Sequence, residues 1–578
     1  MNLKHLPRAA WLLATVGLVT ASGIAAAQSA PASGSQLPPG ETVERKTAPA
    51  TLDLRIGGVL KAPSGADALS LTVEDVTVEG GLAAMESRTR GLVPAPGSVL
   101  TLDRIYAFAS QLQAAYLESG YPLVRVFVPV QDLDQARARI KVRVVDGSIA
   151  EIDAEGVPDR ARRPVLALTG SLKGRSSLTA GELERAVLLA GEVAGLTLRS
   201  TLMAGRAEGE TRLILTAEHR FVQTALSIDD RLTEDLGGEQ VTVSMALNGL
   251  LRRGDRMGLT LASALSDLSL SSDATRRYLG FFADTLVGSS GLAIGADGAI
   301  SSSRPQGASS FLALRNEYQR WGVSAVYPTV RSRSRTANTR LSLDLSQETQ
   351  ESDLLGFPVT LSRDRTRVLR LSHEEQLRMT RGPFAGSGLG FEMEYSRGLD
   401  ALGARTAADA TTLEPLSRSG ADAVFDKLVV GLWAASTLGG TGLVASLELR
   451  GQTGFGDPLL RSEQFSAATS TLISGLPSGA LVGDRALAGR LQLSRPWEVA
   501  GSRIVPYLFG AKARTDLERP TVLEAPQVRV DAFGAGLRGE IALGGGYTAA
   551  VGLEWSRTDA TQAEFDEDGF AFRVTLRH

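Results

Sequence analysis

The chain has 578 residues, a formal net charge of −3 and a hydrophobic fraction of 43%, and it contains no cysteine. This length favours more than one domain, and a charge so close to neutral argues against nucleic acid or another strongly charged partner. The absence of cysteine excludes disulfides, thiolate metal sites and a cysteine nucleophile.

Residues 1–27 have the pattern of a secretory signal peptide. Two basic residues, Lys4 and Arg8, precede an apolar core at 9–23 and a small-residue cleavage site. The alternative is a membrane anchor helix, which the small residues at the end of the segment disfavour. Residues 28–51 are rich in Pro, Ser, Ala and Gly without an apolar period, and they are predicted to be a disordered linker. The mature chain is therefore expected outside the cytoplasm.

Residues 52–147 are predicted to form a small α+β module, because strand patterns flank a segment of helical period. The helix is predicted to start at the N-cap residue Thr101 and to end at Gly120. The predicted strands lie at 69–78, 123–129 and 139–145.

Residues 148–218 repeat this plan in a second module. Thr179 and Glu182 form a predicted capping box ahead of a helix that ends at Gly195, and another helix is predicted at 158–168. The predicted strands lie at 148–154, 196–203 and 212–218. Two such modules, and no more, fit between the linker and the last segment of the chain.

Residues 219–578 alternate apolar and polar side chains with the period of a strand. Leu389, Phe391 and Met393, for example, are separated by Gly390 and Glu392. A sheet buried on both faces could not hold such charges, which leaves a half-solvated soluble sheet or a barrel with lipid outside and a polar lumen. At about 20 to 25 residues per strand with its turn or loop, the segment predicts about 14 to 18 strands.

Short motifs follow one another in a specific order from Thr72 to the C-terminus. They are Tyr116–Pro122, Val124–Pro129, Gln131–Leu133, Val144–Ile149, Tyr327–Pro328, Ser396–Leu399, Leu416–Arg418, Asp457–Leu459 and Ser462–Phe465. Each motif alone is weak, but in this order they resemble the two-partner secretion transporters, the haemolysin-activator branch of the Omp85 superfamily. The resemblance implies a transmembrane antiparallel β-barrel of about 16 strands in the outer membrane, preceded by two α+β POTRA modules in the periplasm.

The resemblance also implies a function and a set of partners. The expected function is export of one large, largely unfolded secreted protein, expected to be β-helical, which the POTRA modules recognise in part by adding a strand to a sheet edge. Outer-membrane lipid and, during biogenesis, the barrel assembly machinery are further expected partners of a monomeric protein. No cofactor, nucleotide or covalent step is implied, so the protein is not expected to be an enzyme.

One strand of each module is predicted to offer the edge that contacts the exported protein. The residues selected for this contact are Leu123, Val124, Arg125, Val126, Thr197, Leu198, Arg199 and Ser200.

A long loop is predicted to enter the lumen. In the resembling family, this loop carries an arginine in a Val-Arg-Gly-Phe/Tyr motif, and the arginine reaches an aspartate in a Phe-x-Asp-x-Gly strand motif. The matching stretches here are Ile473-Ser474-Gly475-Leu476, followed by Asp484, and a strand that begins at Phe509 and has Ala511 at the aspartate position. Both charges are missing together, which leaves no charge without its partner. The loop is therefore predicted to fold inward but to be held differently.

The sequence also permits other interpretations. The pattern Gly534–Gly539 matches a dinucleotide-binding fingerprint, but Gly544-Gly545-Gly546 follows where that fold needs a helix, so small residues of a barrel strand explain it better. The histidines lack metal-ligand spacing. An insertase that assembles other outer-membrane proteins and a passive porin with periplasmic domains stay open as alternative functions.

Overall fold

The computed structural model describes residues 51–53 and 62–578, except 270, 272–273, 307–309, 311, 355, 381 and 383–384. The predicted signal peptide, and the predicted linker up to residue 50, lie outside the described residues. None of the helices in the described part of the chain is long and apolar enough to cross a membrane.

The first module is a four-stranded sheet covered by helices. After β1 (Thr51–Asp53), its elements are β2 (Ser70–Gly80), α1 (Glu86–Arg90), β3 (Val99–Thr101), α2 (Leu102–Glu118), β4 (Arg125–Phe127) and β5 (Ala138–Val145). The strand order is β3-β2-β5-β4, with β2 and β5 parallel. Helix α2 forms as predicted, with Ile105, Leu112 and Tyr116 buried against the sheet. Thr101 is its N-cap residue, but the Thr101 side chain makes no capping hydrogen bond.

Strand β4 is shorter than the predicted strand at 123–129 because other groups replace strand pairing at its end. Pro129 has no N–H to donate. The side-chain amide of Gln131 instead bonds the backbone of Lys141 on β5, with Nε2 donating to the carbonyl at 3.0 Å and Oε1 accepting from the N–H at 2.8 Å. The regular ladder therefore ends at Phe127.

The second module has the same arrangement. Its elements are β6 (Ser148–Gly156), α3 (Asp159–Thr169), α4 (Ala180–Gly191), β7 (Leu196–Ala204) and β8 (Glu210–His219). The predicted capping box is confirmed, because Glu182 N–H donates to Thr179 Oγ1 at 3.2 Å and Thr179 N–H donates to Glu182 Oε2 at 3.0 Å. These hydrogen bonds from Thr179 hold the pKa of the Glu182 carboxyl below its usual range.

The sheet of the second module contains a strand that the sequence assigned elsewhere. Its order is β1-β7-β8-β6, so β1 pairs in parallel with the outer edge of β7. Leu52 and Asp53, which the prediction placed in the first module, therefore belong to the sheet of the second module. The physical reason is that an edge strand leaves backbone N–H and C=O groups open, and a short extended segment satisfies them.

The two modules are joined directly. The Ala180 N–H donates to the Gly120 carbonyl at 2.7 Å, and the hydroxyl of Ser177 donates to Asp146 at 2.6 Å. Leu123, which precedes β4, packs into the core of the second module. The modules therefore share buried contacts rather than a flexible linker.

The remaining chain folds into a closed antiparallel barrel. Its strands and the two short strands of one loop are β9 (Val222–Asp229), β10 (Gln240–Asn248), β11 (Arg256–Ala264), β12 (Arg276–Val287), β13 (Leu292–Ser303), β14 (Leu314–Arg331), β15 (Arg335–Ser352), β16 (Val359–Arg378), β17 (Gly388–Gly398), β18 (Asp426–Thr437), β19 (Val444–Thr453), β20 (Phe465–Ser466), β21 (Val482–Gly483), β22 (Arg485–Ser494), β23 (Trp497–Val499), β24 (Ser502–Asp516), β25 (Gln527–Gly544), β26 (Tyr547–Ala560) and β27 (Asp568–Arg577). Strands β20 and β21 pair only with each other, and β23 continues β22 along β24, so the described wall has 16 strands and closes between β27 and β9.

The alternating pattern separates an apolar outer wall from a polar lumen. On β17, Phe391 and Met393 are exposed on the outside. Glu392 points to the other side, where its carboxylate accepts from Arg450 Nη2 at 2.7 Å. This distribution matches a barrel surrounded by lipid and excludes the soluble-sheet alternative.

The second module is bound to one end of the barrel, called here the module end. Glu192 Oε1 lies 2.6 Å from Arg331 Nε, and Arg185 Nη2 donates to the Pro328 carbonyl at 2.7 Å. The register of β14 shifts between Tyr327 and Val330, so Pro328 lies at an irregularity near the strand end, as the missing N–H of proline requires.

Candidate functional site

The candidate site is built around residues 454–484, called here the inward loop, which connect β19 and β22 at the end of the barrel opposite the modules. Its stem is the β20–β21 pair. Its tip, residues 467–481, lies inside the lumen, where Ile473 and Leu476 are buried in one apolar cluster with Phe509 and Ala511. The structure therefore brings together the two stretches that the sequence selected as the loop motif and the facing strand motif.

Four side chains hold the tip and are called here the tip cluster: Ser474, Arg490, Tyr507 and Glu554. Arg490 Nη1 donates to Ser474 Oγ at 2.6 Å, while Arg490 Nη2 and the Tyr507 hydroxyl each donate to Glu554 Oε2 at 2.7 Å. The Ser474 hydroxyl donates to Glu554. The neutral hydroxyl of Ser474 therefore binds the tip to the Arg490–Glu554 ion pair. Both charges of this pair belong to the wall.

Two wall residues near the tip, Phe509 and Ala511, belong to the strand that the sequence matched to the family motif. Ala511 pairs directly with Arg490 on the neighbouring strand, so the wall carries a positive charge beside the place where the family has an aspartate. The Arg490 guanidinium also lies over the Phe509 ring, 3.5 Å from its centroid. In this geometry Ser474 binds the tip to the Arg490–Glu554 pair of the wall.

Gly475 lies where the tip closely approaches the wall. A Cβ at this position would lie 2.3 Å from Ser556 Oγ on β26. Next to it, Arg231 donates to the Ser474 carbonyl. The Ser474 carbonyl and the backbone at Gly475 thus both lie against the surrounding barrel.

The stem of the inward loop is held by charges. Asp484 is fully buried and accepts from Arg418 Nη1 at 2.6 Å. It also accepts from the backbone N–H groups of Leu459 at 3.0 Å and Glu518 at 2.7 Å. Glu463 accepts from Arg370 Nη2 at 2.7 Å and from Lys427 Nζ at 2.6 Å. Both ends of the loop therefore carry a buried carboxylate that is neutralised by the surrounding barrel.

The ion pair at Glu463 continues across the wall. Arg370 Nε donates to Asp344 Oδ2 at 2.7 Å, and Arg320 Nη1 donates to Asp344 Oδ1 at 3.2 Å. Arg320 in turn pairs with Asp297. Glu463 of the loop thus belongs to a row of alternating charges that begins at Asp297 on β13 and ends at Lys427 on β18.

Sequence reasoning did not select several residues of this site. Arg418 and Glu463 lie within motifs named above, but Glu554, Tyr507, Arg231, Arg370 and Lys427 received no role. The alternating pattern predicts that such residues face the lumen. Their partners depend on strand register and on the path of the loop, which the pattern does not contain.

The two predicted partner-contact edges differ in the structure. In the first module, Leu123 and Val124 are core residues, 2% and 3% exposed. Arg125 and Val126 do lie on the edge strand β4, but the Val126 N–H already donates to Gln113 Oε1 at 3.2 Å. This edge is therefore short and partly satisfied from within.

In the second module, the predicted residues form a regular strand with two faces. Leu198 and Ser200 are buried, whereas Thr197 and Arg199 are exposed. The outer edge of this strand holds β1, with Arg199 opposite Thr51 and Ser200 opposite Leu52. The β7 edge is thus able to accept a parallel strand and already carries one.

Comparison with protein families identifies the class of this protein. Residues 209–511, just over half of the chain, match the family of haemolysin secretion/activation proteins ShlB/FhaC/HecB, and residues 71–147 match the ShlB-type POTRA domain. The chain therefore belongs to this family of outer-membrane two-partner secretion transporters, which is a transport family rather than an enzyme family. A search of curated proteins found no match.

Solved structures share the fold at low sequence identity. CdiB from Escherichia coli is 16% identical with a TM-score of 0.70, and the comparison covers 100% of both chains. CdiB from Acinetobacter baumannii is 13% identical with a TM-score of 0.57, covering 92% of this chain and 93% of the other.

Loss of the Glu554 charge should destabilise the barrel more than loss of an exposed lumenal carboxylate. The Arg490–Glu554 side chains are 4% and 9% exposed, so Glu554→Gln leaves a buried guanidinium without its counter-charge and should cost about 3–5 kcal/mol. Glu392→Gln is the matched control, because the Arg450–Glu392 pair is about 40% exposed on both sides and should cost less than about 1 kcal/mol. The measurement is the temperature at which the folded barrel unfolds on a heat-modifiability gel. Equal shifts in both variants would contradict the role of the tip cluster.

Proposed function

We propose that this protein exports one large secreted protein, in unfolded form, through the barrel lumen, after its POTRA modules bind that protein in the periplasm. The observation that carries the proposal is the match of a closed barrel to the haemolysin secretion/activation family. The inward loop fills the lumen at its tip, so export requires that the tip move aside.

Partner recognition is assigned to the β7 edge of the second module. This edge accepts a strand, since β1 pairs with it over three residues. An exported segment that adds to the same edge would have to displace β1, and it would exchange one set of backbone hydrogen bonds for an equivalent set. Thr197 and Arg199 are exposed on one face of the strand and would contact alternate side chains of the incoming segment.

Movement of the inward loop is assigned to its tip. When Ser474 withdraws, Arg490, Tyr507 and Glu554 still satisfy one another. The hydrogen bonds that break at this residue are those of its hydroxyl and the one that its carbonyl accepts from Arg231. When Glu463 withdraws, Lys427 loses its carboxylate and Arg370 keeps only part of its partners. Removing one member of a buried ion pair costs about 3–5 kcal/mol, against about 1.5–3 kcal/mol for each hydrogen bond between a charged and a neutral group. The stem therefore stays fixed when the tip is released.

The apolar contacts of the tip do not oppose this mechanism during export. Ile473 and Leu476 are buried and stabilise the closed state by about 1.5–3 kcal/mol each. Apolar contacts are non-directional, so a passing polypeptide can replace them with its own apolar side chains. A buried charge, in contrast, needs a counter-charge at a fixed position.

A pair of disulfides tests the division between tip and stem in this cysteine-free chain. For Gly475→Cys with Ser556→Cys, a Cβ at 475 would lie 3.3 Å from Cβ of residue 556, close to the usual spacing of a disulfide. Oxidation of this variant should block export, and a reductant should restore it. Ser466→Cys with Val482→Cys joins register partners of the stem and is the matched control, with export within about twofold of wild type. Normal export by the oxidised tip variant, or an equal block by the stem disulfide, would contradict tip release.

Photocrosslinking tests the recognition edge. A benzoylphenylalanine in place of Arg199, on the exposed face of β7, should capture the exported protein. The control position is Lys173, which is exposed at the opposite edge of the same sheet, next to β6. Equal capture at both positions would argue against the β7 edge, while leaving export itself untouched.

Proteomics of the culture supernatant and the cell surface, with and without the gene, tests the function as a whole. Loss of one large protein, which then accumulates or is degraded in the periplasm, is the expected result. A broad fall in many outer-membrane proteins would instead indicate an insertase. Unchanged fractions in a strain that expresses large secreted proteins would favour a passive porin.

A further inference from the structure

The outer wall of the barrel carries an apolar groove of about 590 Å³ close to the module end. One row of its lining crosses four strands through paired residues, Met257, Ala283, Ala296 and Val323. The two alanines lie side by side and leave a trough between the larger side chains at either end of this row. Ile294 and Leu341, which line the same groove, are 46% and 50% exposed on the outer surface. The groove therefore opens toward lipid.

The module end of this groove is bordered by the turn between β10 and β11. Leu251 and Asp255 of this turn line the groove, and Arg252 and Arg253 between them are exposed. The Asp255 carboxylate is occupied by the turn itself, because it accepts the N–H groups of Leu251 at 3.1 Å and Arg253 at 3.1 Å. The two arginines thus lie on the turn that borders the module end of the groove.

Helix α3 of the second module brings a third arginine to this border. Pro164 packs on the turn, since a Cβ on Gly254 would lie 3.3 Å from Pro164 Cβ. The adjacent residue Arg163 is exposed. Within the described residues, no ion pair or hydrogen bond involves the guanidinium of Arg163, Arg252 or Arg253. Three unneutralised cations therefore border an apolar groove that faces the membrane.

We propose that this groove and its arginines bind an anionic glycerophospholipid of the periplasmic leaflet. One acyl chain lies in the trough over Ala283 and Ala296, and the phosphate contacts Arg163, Arg252 and Arg253. Guanidinium groups match the geometry of phosphate oxygens, and clustered basic residues next to a hydrophobic membrane surface favour anionic headgroups. The apolar groove selects a lipid over free phosphate. Because Arg163 belongs to the second module and the other two arginines belong to the barrel, the bound lipid links the module to the barrel.

Native mass spectrometry of the full-length protein in neutral detergent tests this site. The probes are palmitoyl-oleoyl phosphatidylglycerol and palmitoyl-oleoyl phosphatidylcholine, titrated separately. Wild type should bind phosphatidylglycerol about tenfold more tightly or better. The triple variant Arg163→Gln, Arg252→Gln, Arg253→Gln should lose this preference. The triple variant Arg104→Gln, Arg137→Gln, Arg206→Gln makes the same change in net charge at exposed positions of the two modules and should keep it.

A second variant tests the groove without changing charge. Ala296 is exposed on the outer surface, so Ala296→Leu fills the trough and should weaken phosphatidylglycerol binding about fivefold or more while the barrel stays folded. Equal binding of the two lipids by wild type would overturn the proposal, and so would an equal loss in both triple variants, which indicates bulk charge. Full phosphatidylglycerol binding by Ala296→Leu, or a dimer that covers the groove, would also overturn it. None of these results depends on export, so the proposed function is tested separately.

Discussion

The structure depends on the neutralisation of charges inside the barrel. A buried ion without a partner costs several kcal/mol, so a lumen this rich in arginine and carboxylate is stable only if register brings opposite charges together. The row from Asp297 through Arg320, Asp344 and Arg370 satisfies this requirement strand by strand. It also fixes the inward loop, because Glu463 completes the row from the loop side.

The same constraint explains how the loop can do without the arginine of the family motif. An arginine on a loop tip needs a carboxylate on the wall, and each would be left unpaired whenever the tip moved. Here the wall supplies both charges, Arg490 and Glu554, and the tip supplies a serine hydroxyl. The ion pair between Arg490 and Glu554 therefore remains when the tip withdraws. The buried carboxylates of the loop are Glu463 and Asp484, which lie at its two ends and hold the stem through ion pairs with the barrel.

The sequence predicted the features that depend on side-chain period and local capping. Alternation along residues such as Leu389 to Tyr395 predicts strands with one apolar and one polar face, and the Thr179–Glu182 capping box places a helix without further information. It could not predict β1, because three residues carry no period and their partner β7 lies far away along the chain. The length of β4 also depended on a distant contact, the amide of Gln131 on the backbone of Lys141.

The attachment of the second module would set the geometry of the proposed recognition. The Glu192–Arg331 pair and the Arg185–Pro328 hydrogen bond hold this module against the barrel turns, and Leu123 of the first module packs into its core. A strand bound on β7 is therefore held at a fixed place relative to the mouth of the lumen. Exchange of β1 for a partner strand replaces backbone hydrogen bonds by equivalent ones and supplies little net free energy. In the proposed export of an unfolded chain, direction would then come from a step that follows passage. Folding of the exported protein outside the cell would be such a step, because a folded chain cannot re-enter.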